Sequence, residues 1–327
     1  MNDMVIPSEK YEQAVKIAAA MREQIGRAFV GQSDVVDQVL AALFAAGHVL
    51  IEGVPGLGKT LLVRALARTF DGKFGRIQFT PDLMPADVTG HTLYDQSTGQ
   101  FATRRGPVFT NLLLADEINR APAKTQAALL EVMQEGQVTI EGVAHRLEPP
   151  FMVLATQNPI EQEGTYALPE AQLDRFLLKV RIDYPAAQHE MEMLKRITTG
   201  QVGDKLNVES VSPLVQPGTV VALQTIASNV KADDKVVDYA LRIVRATREW
   251  SGLASGAGPR GGIALVRVAR ASALIAGRDY ITPDDVKRMA LPCLRHRVTP
   301  APELEIKGQS SDSILKSLLE TVDAPRN

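Results

Sequence analysis

The sequence from Gly53 to Thr60 fits the pattern G-x-x-x-x-G-K-[ST] at every fixed position. Glycine accepts backbone conformations that let successive N–H groups point at one anion. Lys59 can then reach the β- and γ-phosphates of a nucleotide, and the Thr60 hydroxyl can ligate Mg²⁺. The predicted nucleotide-binding residues of this loop are Gly53, Val54, Pro55, Gly56, Leu57, Gly58, Lys59, Thr60 and Leu61.

The context of this loop also favours phosphate binding. A short apolar strand precedes it, and helical spacing runs from Thr60 to Arg68 after it. The phosphates would then lie at a helix N-terminus, where unpaired N–H groups and the helix dipole favour negative charge. The alternative is a chance glycine turn, which a random chain of this length would show roughly one time in a hundred. The sequence therefore predicts nucleotide binding.

Two acids follow a second apolar strand, at Asp116 and Glu117. One carboxylate at a strand end can hold Mg²⁺ with its waters, and the next can polarise an attacking water. We assign Asp116, with Thr60, to the metal and Glu117 to the water. Taken alone, such a pair is more often a helix cap after a buried strand. A phosphate-binding loop upstream favours the catalytic interpretation.

A third apolar strand ends in polar side chains, and two arginines lie farther along the chain. Asn158 is our choice for orienting the attacking water or contacting the γ-phosphate, with Thr156 and Gln157 as alternatives. Phosphoryl transfer also needs cations near the developing charge. Arg175 and Arg260 are the candidates, although a lone arginine is more often a surface charge or an ion-pair partner.

The bulk composition is that of an ordinary globular protein. The 327 residues suggest two domains, and 45% of them are hydrophobic and 23% charged. Cys293 is the one cysteine, so we expect no internal disulfide and a reducing, cytoplasmic location. No stretch approaches the roughly 20 apolar residues that span a bilayer. A net charge of −2 predicts no overall attraction to nucleic acid or to an anionic membrane.

Short apolar segments alternate with helical spacing after residue 48. This alternation predicts an α/β fold, with a parallel sheet covered by helices on both faces. The predicted strands are His48–Glu52, Arg76–Phe79, Leu112–Asp116, Phe151–Gln157 and Phe176–Val180.

Two β-hairpins are predicted to interrupt this alternation, one around Asp95–Gly99 and one around Glu141-Gly142. Strands stop after Tyr184-Pro185, and the remainder has helical spacing with a proline-containing helix start at Thr282. We therefore expect two domains, 1–185 and 186–327. A polar, irregular connection is expected around residues 199–218.

Taken together, these segments resemble the AAA+ ATPases, and among them the MoxR family. The resemblance covers about residues 10 to 320, far more than the phosphate-binding loop alone. Beyond that loop, it is carried by Val30–Gln32, Gly106–Phe109, Leu114–Ala121, Lys124–Glu135, Ala155–Pro159, Pro169–Phe176 and Asp279–Val286.

The resemblance implies an αβα ATPase core, a helical lid, and hexameric rings with ATP and Mg²⁺ at subunit boundaries. Lys59 and Thr60 look like the Walker A pair, and Asp116 and Glu117 like Walker B. Asn158 looks like sensor 1, and the two hairpins look like inserts that face the ring pore. The remaining implied roles are adenine contact for Val30, Gly31 and Gln32, the arginine finger for Arg175 and sensor 2 for Arg260.

Two points about sensor 2 stay open. The resemblance does not say whether Arg260 acts in its own subunit or in the adjacent one. The chain also departs from the family pattern with Gly261-Gly262 directly after Arg260. Because each glycine costs roughly 1 kcal/mol inside a helix, we expect the sensor 2 helix either to start late or to be mobile.

Similar proteins are chaperone-like ATPases that mature or activate partner complexes, often for metal insertion and often with von Willebrand factor A domain proteins. We expect such a function here, with an unidentified protein client. One alternative is a magnesium-chelatase-like motor subunit. Another is a nucleic-acid motor, favoured by Arg104, Arg105, His145 and Arg146 on the hairpins and disfavoured by Glu141 and the net charge. A small-molecule kinase is the weakest alternative, because Asp116-Glu117 favours water as acceptor.

Overall fold

A computed structural model describes residues 7–97, 99–158, 165–198 and 208–325 of the chain. Within these ranges, no helix has the length and apolarity that crossing a membrane requires. The helices are α1 (Ser8–Ala28), α2 (Ser33–Phe44), α3 (Lys59–Thr69), α4 (Pro85–Thr89), α5 (Ala123–Glu135), α6 (Glu170–Leu173), α7 (Ala187–Thr198), α8 (Pro217–Ser228), α9 (Asp234–Glu249), α10 (Pro259–Ile275), α11 (Pro283–Leu294), α12 (Pro302–Ile306) and α13 (Ser311–Thr321).

A five-stranded parallel sheet lies at the centre of the N-terminal region, in the order β2-β5-β8-β1-β9. The other strands form two-stranded sheets. The strands are β1 (Val49–Glu52), β2 (Phe74–Gln78), β3 (Gly90–Asp95), β4 (Gln100–Arg105), β5 (Leu112–Asp116), β6 (Gln137–Ile140), β7 (Val143–Arg146), β8 (Met152–Gln157), β9 (Leu178–Arg181), β10 (Leu253–Ser255) and β11 (Thr299–Pro300).

Both faces of the sheet are buried, because alternate residues of each strand point to opposite sides. Ile51 and Leu114 pack in one apolar cluster with α1, α2, α3 and the C-terminal helices. Leu50 and Leu113 pack in a second cluster with α5. The predicted fold class, a parallel sheet with helices on both faces, is therefore confirmed.

All five predicted strands are present, with ends that differ by at most two residues. The strand predicted at Arg76–Phe79 runs over Phe74–Gln78, and the one predicted at Phe176–Val180 runs over Leu178–Arg181. Phe176 instead precedes β9, and its carbonyl accepts hydrogen bonds from the C-terminal region.

The two predicted hairpins are also present, as β3–β4 and β6–β7. Phe109 lies between them: the Arg105 guanidinium lies over its ring at 5.0 Å from the centroid, and the His145 ring meets it edge-on at 6.3 Å. A cation–π contact and an aromatic contact thus connect the two hairpins at their bases.

The C-terminal region is helical, as expected, but it is not free of strands. Leu253–Ser255 and Thr299–Pro300 pair as a small antiparallel ribbon, which corrects the prediction that strands stop after Pro185. Segments this short carry no detectable alternation. The predicted domain boundary at residue 185 falls between β9 and α7. An irregular connection was expected at 199–218, and residues 199–207 of it lie outside the described ranges.

The residues that directly follow α11 connect the helical region to the sheet through hydrogen bonds. Arg297 is 4% exposed, and its guanidinium donates to the carbonyl oxygens of Phe176 (2.7 Å) and Leu177 (3.1 Å). His296 Nε2 lies 3.0 Å from the same Phe176 carbonyl, and burial holds the pKa of His296 well below its ordinary value. A neutral imidazole and a buried guanidinium therefore bind the backbone just before β9.

The glycine pair after Arg260 lies inside α10, which begins at Pro259. The expectation of a late helix start was therefore wrong. A Cβ on Gly261 would lie 3.2 Å from both Ala257 Cβ and Leu294 Cδ2, so a larger residue would require these neighbours to shift by a few tenths of an ångström. Close packing against α11 outweighs the low helix propensity of glycine.

The two glycines are predicted to respond oppositely to alanine. Gly262→Ala should raise the free energy of unfolding by about 0.5–1 kcal/mol, because Val244 Cγ2 at 3.9 Å leaves ordinary room for its Cβ. Gly261→Ala should lower it by about 1–3 kcal/mol through overpacking. Denaturant unfolding of both variants measures this, and a gain for Gly261→Ala equal to that for Gly262→Ala would contradict the packing explanation.

Candidate nucleotide site

The predicted phosphate-binding loop connects β1 to α3, and its glycines meet specific backbone demands. Gly56 (φ +86°) and Gly58 (φ +75°) adopt left-handed conformations that favour glycine. A Cβ on Gly53 would lie 2.7 Å from the Ile182 carbonyl oxygen, so only glycine fits against β9 there. The loop therefore delivers the first turn of α3, with its unpaired N–H groups, to one end of the sheet.

Lys59 occupies this loop. Its ammonium donates a 2.7 Å hydrogen bond to the Gly53 carbonyl oxygen. Burial lowers the pKa of Lys59, and the nearby carboxylates of Asp116 and Glu117 oppose that shift. A cation held inside a ring of backbone N–H groups is a suitable receptor for phosphate oxygens.

Asp116 and Glu117 are fixed at the end of β5 by one hydroxyl. Thr156 Oγ1, fully buried on β8, donates to Asp116 Oδ1 (2.6 Å) and accepts from the Glu117 N–H (2.8 Å). Glu117 itself has φ +56°, a left-handed conformation that costs a non-glycine residue roughly 1–2 kcal/mol. Thr156, an alternative to Asn158 in the sequence analysis, is thus a residue that orients both acids.

The outer oxygens of both acids contact cations or an amide. Arg76 Nη2 lies 2.7 Å from Asp116 Oδ2. Glu117 Oε2 accepts from Gln78 Nε2 (2.9 Å) and lies 2.9 Å from Arg120 Nε. Sequence analysis missed Arg76, Gln78 and Arg120, although the i, i+3 spacing of Glu117 and Arg120 was a signal for one of them.

The donor set suits Mg²⁺ held together with a nucleotide. Mg²⁺ typically takes one or two protein oxygens and completes its shell with phosphate oxygens and water. Thr60, in the first turn of α3, and Asp116, at the end of β5, supply one hydroxyl and one carboxylate. Asn158 directly follows β8, which is the strand between β5 and β1 in the sheet, and is 8% exposed.

The predicted adenine segment lies between α1 and α2. Gly31 has φ +80°, and a Cβ there would lie 2.4 Å from His189 Cβ on α7. Gln32 Nε2 donates to the Asp183 carbonyl oxygen at 3.1 Å. The segment from Val30 to Gln32 therefore contacts the chain that leaves β9, and His189 is a neighbour that sequence analysis missed.

Arg175 and Arg260 lie elsewhere. Both line a cleft of about 290 Å³ that also includes Gly47 and His48, which precede β1, and Leu177, which precedes β9. Because the strands are parallel, this cleft lies at their amino ends, whereas the phosphate-binding loop and the acids lie at their carboxyl ends. Between the two lie the four residues of β1, which span about 13 Å at the usual rise of a strand.

His48 lines the cleft as a neutral side chain. Its Nδ1 accepts from the Val153 N–H at 3.0 Å, and Nε2 lies 3.0 Å from the Met133 carbonyl oxygen. Burial lowers its pKa to about 4. At neutral pH the positive charge in the cleft therefore comes from arginines.

Two sequence profiles match the chain. Residues 48–178 match the ATPase family associated with various cellular activities (AAA), and residues 245–318 match an AAA lid domain. YeaC of Bacillus subtilis is 46% identical over 93% of each chain. Chaperone MoxR1 of Mycobacterium tuberculosis is 43% identical over 93% of this chain and 81% of its own.

A solved structure is also similar. The crystal structure of a candidate ATPase from Cytophaga hutchinsonii superimposes with a TM-score of 0.89 at 41% identity. The match covers 97% of this chain and 98% of that one.

Thr156 offers a test of how the acids are oriented. Thr156→Val should reduce ATP turnover at least about tenfold, because Asp116 and the strained Glu117 lose their shared partner. It should also lower the free energy of unfolding by about 1–3 kcal/mol, since a buried N–H is left unpaired. Thr156→Ser keeps the hydroxyl and should stay close to wild type in both assays. Equal turnover for the valine and serine variants would contradict this role.

Proposed function

Because the chain belongs to the MoxR family of AAA+ ATPases, we propose that it hydrolyses ATP at the boundaries between subunits of a ring. The observation that carries this proposal is the position of Arg175 and Arg260 at the amino ends of the strands, away from the phosphate-binding loop. Phosphoryl transfer needs cations on the developing charge. A second subunit would bring these two to the nucleotide without either side chain having to cross the sheet.

Within one subunit, the loop from Gly53 to Thr60 binds the phosphates through N–H groups and Lys59. Mg²⁺ bound at this loop would neutralise part of the phosphate charge. Thr60 and Asp116 hold that ion, and Glu117 polarises the attacking water, which Asn158 helps to orient. Gln78 and Arg120 contact Glu117 Oε2 and orient the carboxylate.

Across the subunit boundary, Arg175 acts as the arginine finger, and Arg260 acts with it on the same neighbouring nucleotide. Sensor 2 thus works in trans, a choice that the sequence left open. The ring is a hexamer by family resemblance. The proposed domains, 1–185 and 186–327, each contribute one of the two arginines.

The free energy of this hydrolysis drives the remodelling of a protein partner. The β3–β4 hairpin exposes Tyr94 (56%) and Phe101 (76%), which form a cross-strand aromatic pair at 5.3 Å. Leu93 and Val143 are also exposed on the hairpins. Exposed apolar groups of this kind mark contact surfaces for other proteins. Partner maturation, including metal insertion and cooperation with a von Willebrand factor A domain protein, is the role that the family suggests.

Steady-state ATPase activity as a function of protein concentration, with native mass measured in parallel, tests the proposal. Turnover per subunit should rise as the ring assembles. Glu117→Gln and Arg175→Ala should bind ATP yet lose turnover, by about a thousandfold for the arginine. A wild-type monomer with full turnover, together with normal activity of Arg175→Ala, would refute hydrolysis at subunit boundaries.

A nucleic-acid motor is the second candidate, because Arg104 and Arg105 lie on the hairpin that exposes Tyr94 and Phe101. Basic groups beside exposed aromatic rings are the features that bind single-stranded nucleic acid. This function predicts that single-stranded DNA or RNA stimulates the ATPase and that added salt abolishes the stimulation. Equal activity with and without nucleic acid at low salt would exclude it.

A further inference from the structure

The cleft that contains Arg175 and Arg260 has four arginines and one carboxylate facing it. The other two arginines are Arg267 and Arg297, and the carboxylate is Asp174. The formal charge of this set is +4 − 1 = +3. Such a cleft attracts anions, but charge alone does not aim a guanidinium group at a particular oxygen.

Two of the arginines are occupied by the fold. Arg297 donates to the backbone before β9, as described above, and its Nε lies 2.7 Å from Asp174 Oδ1. Arg267 donates to the carbonyl oxygens of Ala45 and Ala46 at the end of α2, and burial lowers its pKa. These two guanidinium groups fix elements in place.

The other two arginines face the open cleft. Arg260 is 62% exposed, and its Nη1 lies 3.8 Å from Asp174 Oδ2. Within the described ranges, the Arg175 side chain has no ion-pair partner, and Arg175 directly follows Asp174 in sequence. One carboxylate therefore contacts a buried, fixed arginine through one oxygen and an exposed arginine through the other.

We propose that Asp174 is a positioning residue, which places Arg260 beside Arg175 so that both guanidinium groups bind one phosphate of the neighbouring subunit's ATP. Arg297 fixes the Asp174 carboxylate, the carboxylate restrains the first turn of α10 through Arg260, and the chain itself supplies Arg175 at the next position. This inference rests on hydrolysis across subunit boundaries, as proposed above. It assigns a role to a residue that does not touch the nucleotide.

Positioning and simple electrostatics predict opposite effects for Asp174→Asn. If only charge mattered, removing a negative charge would strengthen the attraction for phosphate and leave turnover equal or higher. If Asp174 positions Arg260, turnover of the assembled ring should fall about tenfold, while ATP binding and native mass stay unchanged. Asp174→Glu keeps the charge on a longer side chain and should fall between Asp174→Asn and wild type.

A double-mutant cycle separates positioning from a general structural role. In an Arg260→Ala background, Asp174→Asn should have little further effect on turnover, because the group that it positions is already gone. A purely structural role for Asp174 would lower turnover by the same factor in both backgrounds and would overturn the proposal. Thermal unfolding of each variant reports whether it folds, and Asp174→Glu replaces Asp174→Asn in the cycle if the latter does not.

Mixed rings complete the test. Glu117→Gln subunits cannot hydrolyse ATP but carry intact Asp174, Arg175 and Arg260, so they should restore turnover in neighbouring Asp174→Asn subunits severalfold. The same mixture with Arg175→Ala is the control for hydrolysis in trans. If Glu117→Gln subunits restore turnover to Arg175→Ala subunits but not to Asp174→Asn subunits, the proposed role of Asp174 is overturned and hydrolysis in trans is not. No recovery with either would refute hydrolysis across subunit boundaries itself.

Discussion

The common direction of the five central strands is the constraint on which the rest of the site depends. Because β1, β5 and β8 all point the same way, their carboxyl ends bring the phosphate-binding loop, the two acids and Asn158 to one edge of the sheet. The same parallel order leaves the segments before β1 and β9 at the opposite edge. The residues proposed for catalysis are therefore divided between the two ends of the strands of one sheet.

This division has a consequence for regulation. If hydrolysis occurs at subunit boundaries as proposed, a subunit that holds ATP without a neighbour would have the water-polarising glutamate but would lack the cations supplied in trans. The glutamate is also engaged, since Glu117 Oε2 contacts both Gln78 and Arg120. Under the proposed function, an isolated subunit would bind ATP but hydrolyse it slowly until assembly supplies Arg175 and Arg260. Hydrolysis in such an arrangement reports on the state of the neighbouring subunit.

Local patterns predicted much of this from the sequence. The loop from Gly53 to Thr60, the strand ending in Asp116 and the cap at Thr282 each depend on residues within a few positions, and each is present as predicted. Contacts between distant segments were not predictable. Gln78 lies opposite Asp116 only because of the register between β2 and β5.

The expectation of a late start for the helix after Arg260 was wrong for a similar reason. It rested on helix propensity and did not include the packing of α11 against Gly261. The placement of Arg260 and Asp174 in one cleft likewise depends on how the C-terminal helices pack against β9. Sequence spacing carries no information about that packing. The candidate site residues could therefore be proposed from the sequence, whereas the end of the strands at which each one lies could not.

The central claim is that Arg175 and Arg260 act on a neighbour's nucleotide. The most direct measurement is the structure of an ATP-bound Glu117→Gln assembly, with the distance from each Arg175 and Arg260 guanidinium to the nearest γ-phosphate. The account predicts contact with the phosphate of the adjacent subunit and no contact with that of the subunit's own nucleotide. An assembly in which either arginine contacts the nucleotide bound to its own phosphate-binding loop would contradict it.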